Sequence, residues 1–111
     1  MAENADIVGF AQVFEVADGA HLEQLSVMPE HGRHGHGRLL LAAAIAEARR
    51  RGCRRMTLRT YADIPWNGPF YSRAGFVETA PDTDFLKSLL LVERELGLER
   101  HGRRIQMTVD L

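Results

Sequence analysis

The stretch Leu25-Ser26-Val27-Met28-Pro29-Glu30-His31-Gly32-Arg33-His34-Gly35-His36-Gly37-Arg38-Leu39-Leu40 changes character twice. It ends a strand, turns on glycine and starts a helix. Pro29 cannot continue a central ladder and closes the strand. Gly32, Gly35 and Gly37 let the backbone turn sharply and come close to a ligand. From Arg38 the run Leu-Leu-Leu-Ala-Ala-Ala-Ile-Ala-Glu-Ala predicts a helix over 38–51, with Gly52 as its stop. Arg49, Arg50 and Arg51 at its end complement the helix dipole. The free N–H groups and positive end of such a helix bind phosphate without any side chain, and Arg33 and Arg38 add charge beside it. The plain alternative is a tight loop.

Outward from this turn the chain alternates between strand and helix patterns. Residues 7–16 are rich in β-branched and aromatic types and read as a strand. Ala17-Asp18-Gly19-Ala20 predicts a hairpin, and residues 20–28 make the return strand. Its alternation places His21, Glu23, Leu25 and Val27 on one face unless a bulge shifts the register. Residues 54–61 form a third strand, so strand, helix and strand imply a right-handed crossover between parallel strands. Residues 62–76 read as a loop with a short helix, and Phe76 to Thr79 as a further strand. Residues 84–97 carry a helical apolar face of Phe85, Leu89 and Leu96 beside Leu86 and Leu90. Ile105, Met107, Val109 and Leu111 alternate with polar residues in the last strand. The chain reads as one α/β (α+β) unit.

With 111 residues, 45% hydrophobic and 26% charged, the chain can build a core without disulfides or a structural metal. No apolar run is long enough to span a membrane and the first 20 residues lack a signal pattern, so a cytoplasmic location is expected. The lone Cys53 reads as a buried, inert thiol. A net charge of −1 hides an asymmetry: residues 1–32 carry six acids and no Lys or Arg, whereas residues 33–75 carry nine Arg against Glu47 and Asp63. That pattern points to a local anion site rather than a surface coated for nucleic acid.

The quoted stretch resembles the acyl-CoA signature of the GNAT superfamily of N-acetyltransferases, Val-x-Pro, then Arg/Gln-x-x-Gly-x-Gly/Ala, then a helix. Ile64-Pro65-Trp66-Asn67-Gly68-Pro69-Phe70-Tyr71-Ser72-Arg73-Ala74-Gly75-Phe76 resembles that superfamily's Asn…Phe-Tyr-x-x-x-Gly-Phe segment, and Arg104-x-x-Met107 is a weaker third match. The likeness is good over residues 7 to about 79 and loose beyond. Two departures stand out. Gly32 occupies the first motif position, so a side-chain contribution is lost or moves to Arg33. The family's first strand, paired helices and second strand are absent or reduced to residues 1–6, so residues 1–111 form an N-terminally shortened domain on this reading. Those elements normally wall the acceptor site, and a second copy in a homodimer could supply that wall.

The resemblance implies a mixed, mainly antiparallel sheet flanked by helices, whose parallel central pair splays to admit acetyl-CoA. Backbone groups of Leu25, Ser26 and Val27 would bond the pantetheine amides and polarise the acetyl carbonyl. Arg33, His34, Gly35, His36, Gly37 and Arg38 would hold the pyrophosphate, and Asn67 the pantetheine arm unless it is a turn residue. Tyr71 would protonate the departing thiolate; otherwise it is a half-buried core aromatic. Glu23 or His21 would take the amine proton, directly or through water, unless the first is a solvated strand charge and the second a surface residue at the hairpin end.

His31, His34 and His36 lack the four well-spaced ligands of a structural zinc site, so no metal is expected. The arginines at 49, 50, 51, 54, 55 and 59 lack aromatic interleaving and read as a solvated face that also draws in the cofactor's phosphates. The implied activity is transfer of acetyl from acetyl-CoA to an unknown primary amine by direct attack in a ternary complex. The rival is a non-catalytic acyl-CoA sensor or regulatory module, which would share every cofactor feature but not need Tyr71.

Overall fold

Strands β1 (Gly9–Val16) and β2 (Gly19–Val27) lead into helix α1 (His36–Arg50) and strand β3 (Arg55–Tyr61). Helix α2 (Asn67–Arg73), strand β4 (Val77–Thr79), helix α3 (Asp84–Leu96), a 3-10 turn (Leu98–His101) and strand β5 (Arg104–Asp110) follow. The structure, a computed structural model, describes residues 9–16, 19–27, 36–63 and 67–111, with the backbone alone at Gly9, Phe10, Ser26, Val27, His36 and Asn67. Every element expected from periodicity has a counterpart, displaced by two residues or fewer where its ends are described. Among the described residues, no helix is long and apolar enough to cross a membrane.

The strands form one sheet in the order β1-β2-β3-β5-β4. Only β2 and β3 run parallel among the described strands; the other neighbours are antiparallel. Pairing of the parallel strands is confined to Ala20↔Met56, His21↔Thr57 and Leu22↔Leu58. Beyond that point β2 continues to Val27 and β3 to Tyr61 without facing each other, so the sheet opens at its centre.

One face of the sheet is apolar. Ala20, Leu22, Met56, Leu58, Ile105 and Met107 are all buried there. Against them α1 lays Leu41, Ala44, Ile45 and Ala48, spaced three, four and seven apart as one helical stripe requires. Gly52 (φ 84) ends α1: its N–H bonds Arg49 O and that of Cys53 bonds Ala48 O, a closure that needs the left-handed region. Cys53 is buried, as expected.

The opposite face is polar and α3 covers it. His21, Thr57, Arg59, Gln106 and Thr108 project there by strand parity. Thr83 caps α3, accepting from Leu86 N at 3.1 Å. Leu86 is buried, but so is Glu93, seven residues on along the same inward stripe, whereas Leu96 is 60% exposed. The apolar face read for this helix therefore ends early, and a carboxylate takes the inward position. Glu93 bonds Arg59 through Nε and Nη2 at 2.8 and 2.9 Å and accepts from Arg104 Nη2 at 3.0 Å. Burial alone would push the Glu93 carboxyl up, but the two guanidinium partners outweigh it and hold it down to about 2.

Candidate functional site

The opening between β2 and β3 begins at Glu23. Gln12 pairs with Gln24 and Val13 with Leu22, so Glu23 is the extra residue of a β-bulge. The bulge reverses the facing expected for the rest of the strand. Leu25 packs with Ala20 and Leu22 against the apolar core instead of sharing the face of His21. Among the described residues, β2 has no β3 ladder partner beyond Leu22, so the backbone of Leu25, Ser26 and Val27 is not taken up by the β2–β3 ladder.

His21 is not the surface residue that the hairpin end allowed: it is 3% exposed. Its ring meets Phe85 edge-on at 5.4 Å, and Nδ1 lies 2.9 Å from Thr57 Oγ1. Thr57 Oγ1 also lies 3.4 Å from Ala20 O; in the tautomer where its proton is directed there, Nδ1–H donates to Thr57 and Nε2 is a lone-pair acceptor. Glu23 Oε1 stands 3.9 Å from Nε2, so the two expected base candidates do come together. Burial first, and the Arg59 charge second, lower the His21 imidazole from 6.5 to about 4, against a smaller opposing pull from Glu93.

This shift has a measurable sign. Between pH 6.5 and 4 the unfolded imidazole takes up a proton that the folded one refuses, so stability falls as pH falls through that window. The loss should reach about 2 kcal/mol at pH 5. Urea midpoints at pH 7.5 and pH 5 should show it for the wild type. In His21→Gln that part of the slope should vanish, and an unchanged slope would contradict the assignment.

Tyr71 gains its position from the end of α2. Phe76 N–H bonds Tyr71 O at 3.1 Å and Gly75 N–H bonds Ser72 O at 3.0 Å, with Gly75 at φ 99. This closure brings the fully buried Phe76 ring to 5.7 Å from that of Tyr71. The Phe-Tyr-x-x-x-Gly-Phe spacing is thus a helix stop that fixes the tyrosine. Half-buried beside Phe70, Tyr71 borders the same core as Leu25, and burial pushes its phenol up, keeping it protonated.

A groove of about 660 Å³ runs between α1 and α2, lined by Gly37 and Arg38 at the start of α1, Leu41, Arg49, Phe70 and Arg73. Sequence reasoning missed Arg73, and placed Arg49 only among a general basic face. That face is largely neutralised: Arg50 and Arg51 pair with Glu47, Arg55 with Asp82 and Arg59 with Glu93. Those arginines therefore do not form the phosphate-drawing surface expected of them. Among the described residues, Arg38, Arg49 and Arg73 have no carboxylate partner, and all three line the groove. An anionic ligand can engage them without breaking an ion pair.

Of the other expected cofactor contacts, Arg33, His34 and Gly35 lie outside the described residues, as do the side chains of Ser26, Val27, His36 and Asn67. The backbone places His36 at the first position of α1 and Asn67 at the first position of α2. Among the described residues, no three His, Cys, Asp or Glu side chains gather as metal ligands.

Comparison with known proteins gives this geometry a family. A model of the acetyltransferase (GNAT) family matches residues 1–76. Mycothiol acetyltransferase of Stackebrandtia nassauensis is 37% identical over 59 residues, 53% of this chain and 19% of that protein. The ribosomal-protein-S18-alanine N-acetyltransferase of Escherichia coli aligns with a TM-score of 0.73 at 27% identity, over 98% of this chain and 64% of its own. PaiA N-acetyltransferase of Thermoplasma acidophilum, solved with coenzyme A, gives 0.70 at 20% identity over 94% and 54%, a likeness of fold alone. The chain thus spans about a fifth of the first relative and under two thirds of both structures. A family model that takes in both parted strands and the helix between them makes the chain a member of the GNAT acetyltransferase family.

Proposed function

We propose that residues 1–111 act as one acetyltransferase domain that moves acetyl from acetyl-CoA to a primary amine by direct attack, in the cytoplasm. The observation that carries this reading is the parallel pair that parts after Leu22 and Leu58. Pantetheine fills the opening and takes hydrogen bonds from the backbone of Leu25, Ser26 and Val27. The phosphates lie at the start of α1 with His36, Gly37 and Arg38, and continue along the groove past Arg49 and Arg73. Arg33, His34 and Gly35 complete the phosphate turn, and Asn67 holds the pantetheine arm.

In the reaction the amine nitrogen bonds the thioester carbon and the carbonyl oxygen becomes an oxyanion held by backbone N–H groups. Collapse breaks the C–S bond, and the thiolate takes its proton from the Tyr71 hydroxyl, which solvent then replenishes. The proton lost by the amine leaves through Glu23 or His21. The solved relatives with bound coenzyme A support the choice of cofactor.

A thermal-shift titration tests the reading. Acetyl-CoA or CoA at a hundredfold excess over Kd should add roughly 2.7 kcal/mol of stability, seen as a raised Tm, and ADP less. Thiol release with an amine panel then separates an enzyme from a sensor. No shift at millimolar acetyl-CoA overturns the proposal.

A further inference from the structure

We infer that the acceptor is a short aliphatic primary amine without a nearby carboxylate, bound between the β2 bulge and the C-terminal half of α3. This rests on the acetyl-transfer reading and names the substrate class of that site. The parallel pairing ends at Leu22, and the next residue, Glu23, lines a cleft of about 130 Å³ on the α3 side of the sheet. His21, Glu23, Leu89, Val92, Leu96 and Leu98 line it, with the Arg59–Glu93–Arg104 cluster as its floor. On this inference α3 itself forms one wall of the acceptor site.

The charges select a cation. Both arginines of the floor are bonded to Glu93, and Arg104 Nε, which makes no hydrogen bond, is fully buried. Both guanidinium groups are held against Glu93 with their side chains only 8% and 14% exposed, so the floor offers a substrate carboxylate little open surface. The Glu23 carboxylate is 48% exposed, and its Oε1 lies 3.9 Å from Nε2 of the neutral His21 ring. Two acceptors at that separation repel unless a donor sits between them. An ammonium nitrogen about 2.9 Å from each bonds both at nearly a right angle, within the reach of its three N–H groups. The same placement gives the ammonium a carboxylate to receive its proton before attack.

The walls select an aliphatic carrier. Val92 and Leu96 expose 49% and 60% of their surface beside Leu89 and Leu98, an apolar rim that a carbon chain would cover. A dry cavity of about 150 Å³ accommodates benzene, so this cleft takes roughly six heavy atoms, the size of pentylamine.

The experiment is a ladder of alkylamines from ethylamine to heptylamine, assayed by thiol release from acetyl-CoA. KM should fall about three- to fourfold per methylene as far as pentylamine and level off beyond it. Matched ω-amino carboxylates should be at least about tenfold poorer in kcat/KM, and Leu96→Glu should erase the alkylamine ladder while the Tm shift with acetyl-CoA is kept. Pentylamine alone, without cofactor, should shift the His21 Nε2 resonance of the wild type. A flat ladder, equal use of the carboxylates, or no response of His21 to pentylamine overturns the inference. Length-dependent binding with no thiol released would uphold the site and overturn acetyl transfer instead.

Discussion

Glu93→Ala should cost about 3–5 kcal/mol of folding stability, because it leaves two guanidinium groups without their carboxylate inside the protein. The Arg59 and Arg104 side chains are only 8% and 14% exposed, and Glu93 is their shared partner. Arg104 also stacks over the Tyr61 ring at 4.5 Å, and the Tyr61 hydroxyl donates to Leu98 O at 3.0 Å. The cluster therefore ties β3, β5 and the end of α3 into one unit. A domain of this size has roughly 5–15 kcal/mol to lose, so the variant should be marginal at room temperature. Urea denaturation gives the number. Glu93→Gln, which keeps acceptor and shape, should lose less. Replacing all three members together by Met or Leu should restore most of the stability, since no charge is then left buried and unpaired. If Glu93→Ala unfolds at the wild-type midpoint, the cluster is solvated and does not hold α3 down.

Glu93 also shows where sequence reading stops. Periodicity places a helix over residues 84–97, on Phe85, Leu89 and Leu96 beside Leu86 and Leu90, and the structure forms it over Asp84–Leu96. Spacing from Leu86 puts position 93 on the inward stripe, but it does not show that a carboxylate can be held there, because what makes it tolerable lies 34 and 11 residues away in β3 and β5. The bulge at Glu23 is equally silent. A single inserted residue leaves no mark in a nine-residue strand, yet it moves Leu25 from the face of His21 to the core. The parallel pair was legible, because a strand, helix and strand joined by short turns have one favoured hand. The basic face was misread because Arg50, Arg51, Arg55 and Arg59 look alike in composition, and only the fold shows each committed to a carboxylate. Arg49 and Arg73 meet across the groove between α1 and α2 through tertiary packing, which local patterns do not encode.

Tyr71→Phe should lower kcat by about 10²–10⁴-fold while leaving KM for acetyl-CoA within a factor of a few. The substitution removes one oxygen and keeps the ring that packs against Phe70 at 5.1 Å and Phe76 at 5.7 Å. The backbone closure through Tyr71 O is untouched by it, so Tm should barely move. A residue that served only the core would give the opposite result: unchanged kcat, and a stability change if any. The effect should sit in kcat because the hydroxyl is asked to act only when the C–S bond breaks, after both substrates have bound. Burial raises the phenol further above its ordinary value, so it stays protonated and able to donate throughout the neutral range. The decisive comparison is a single-turnover assay of wild type and Tyr71→Phe with saturating acetyl-CoA and pentylamine. Equal rates there would remove Tyr71 from the chemistry and leave the thiolate to take its proton from water.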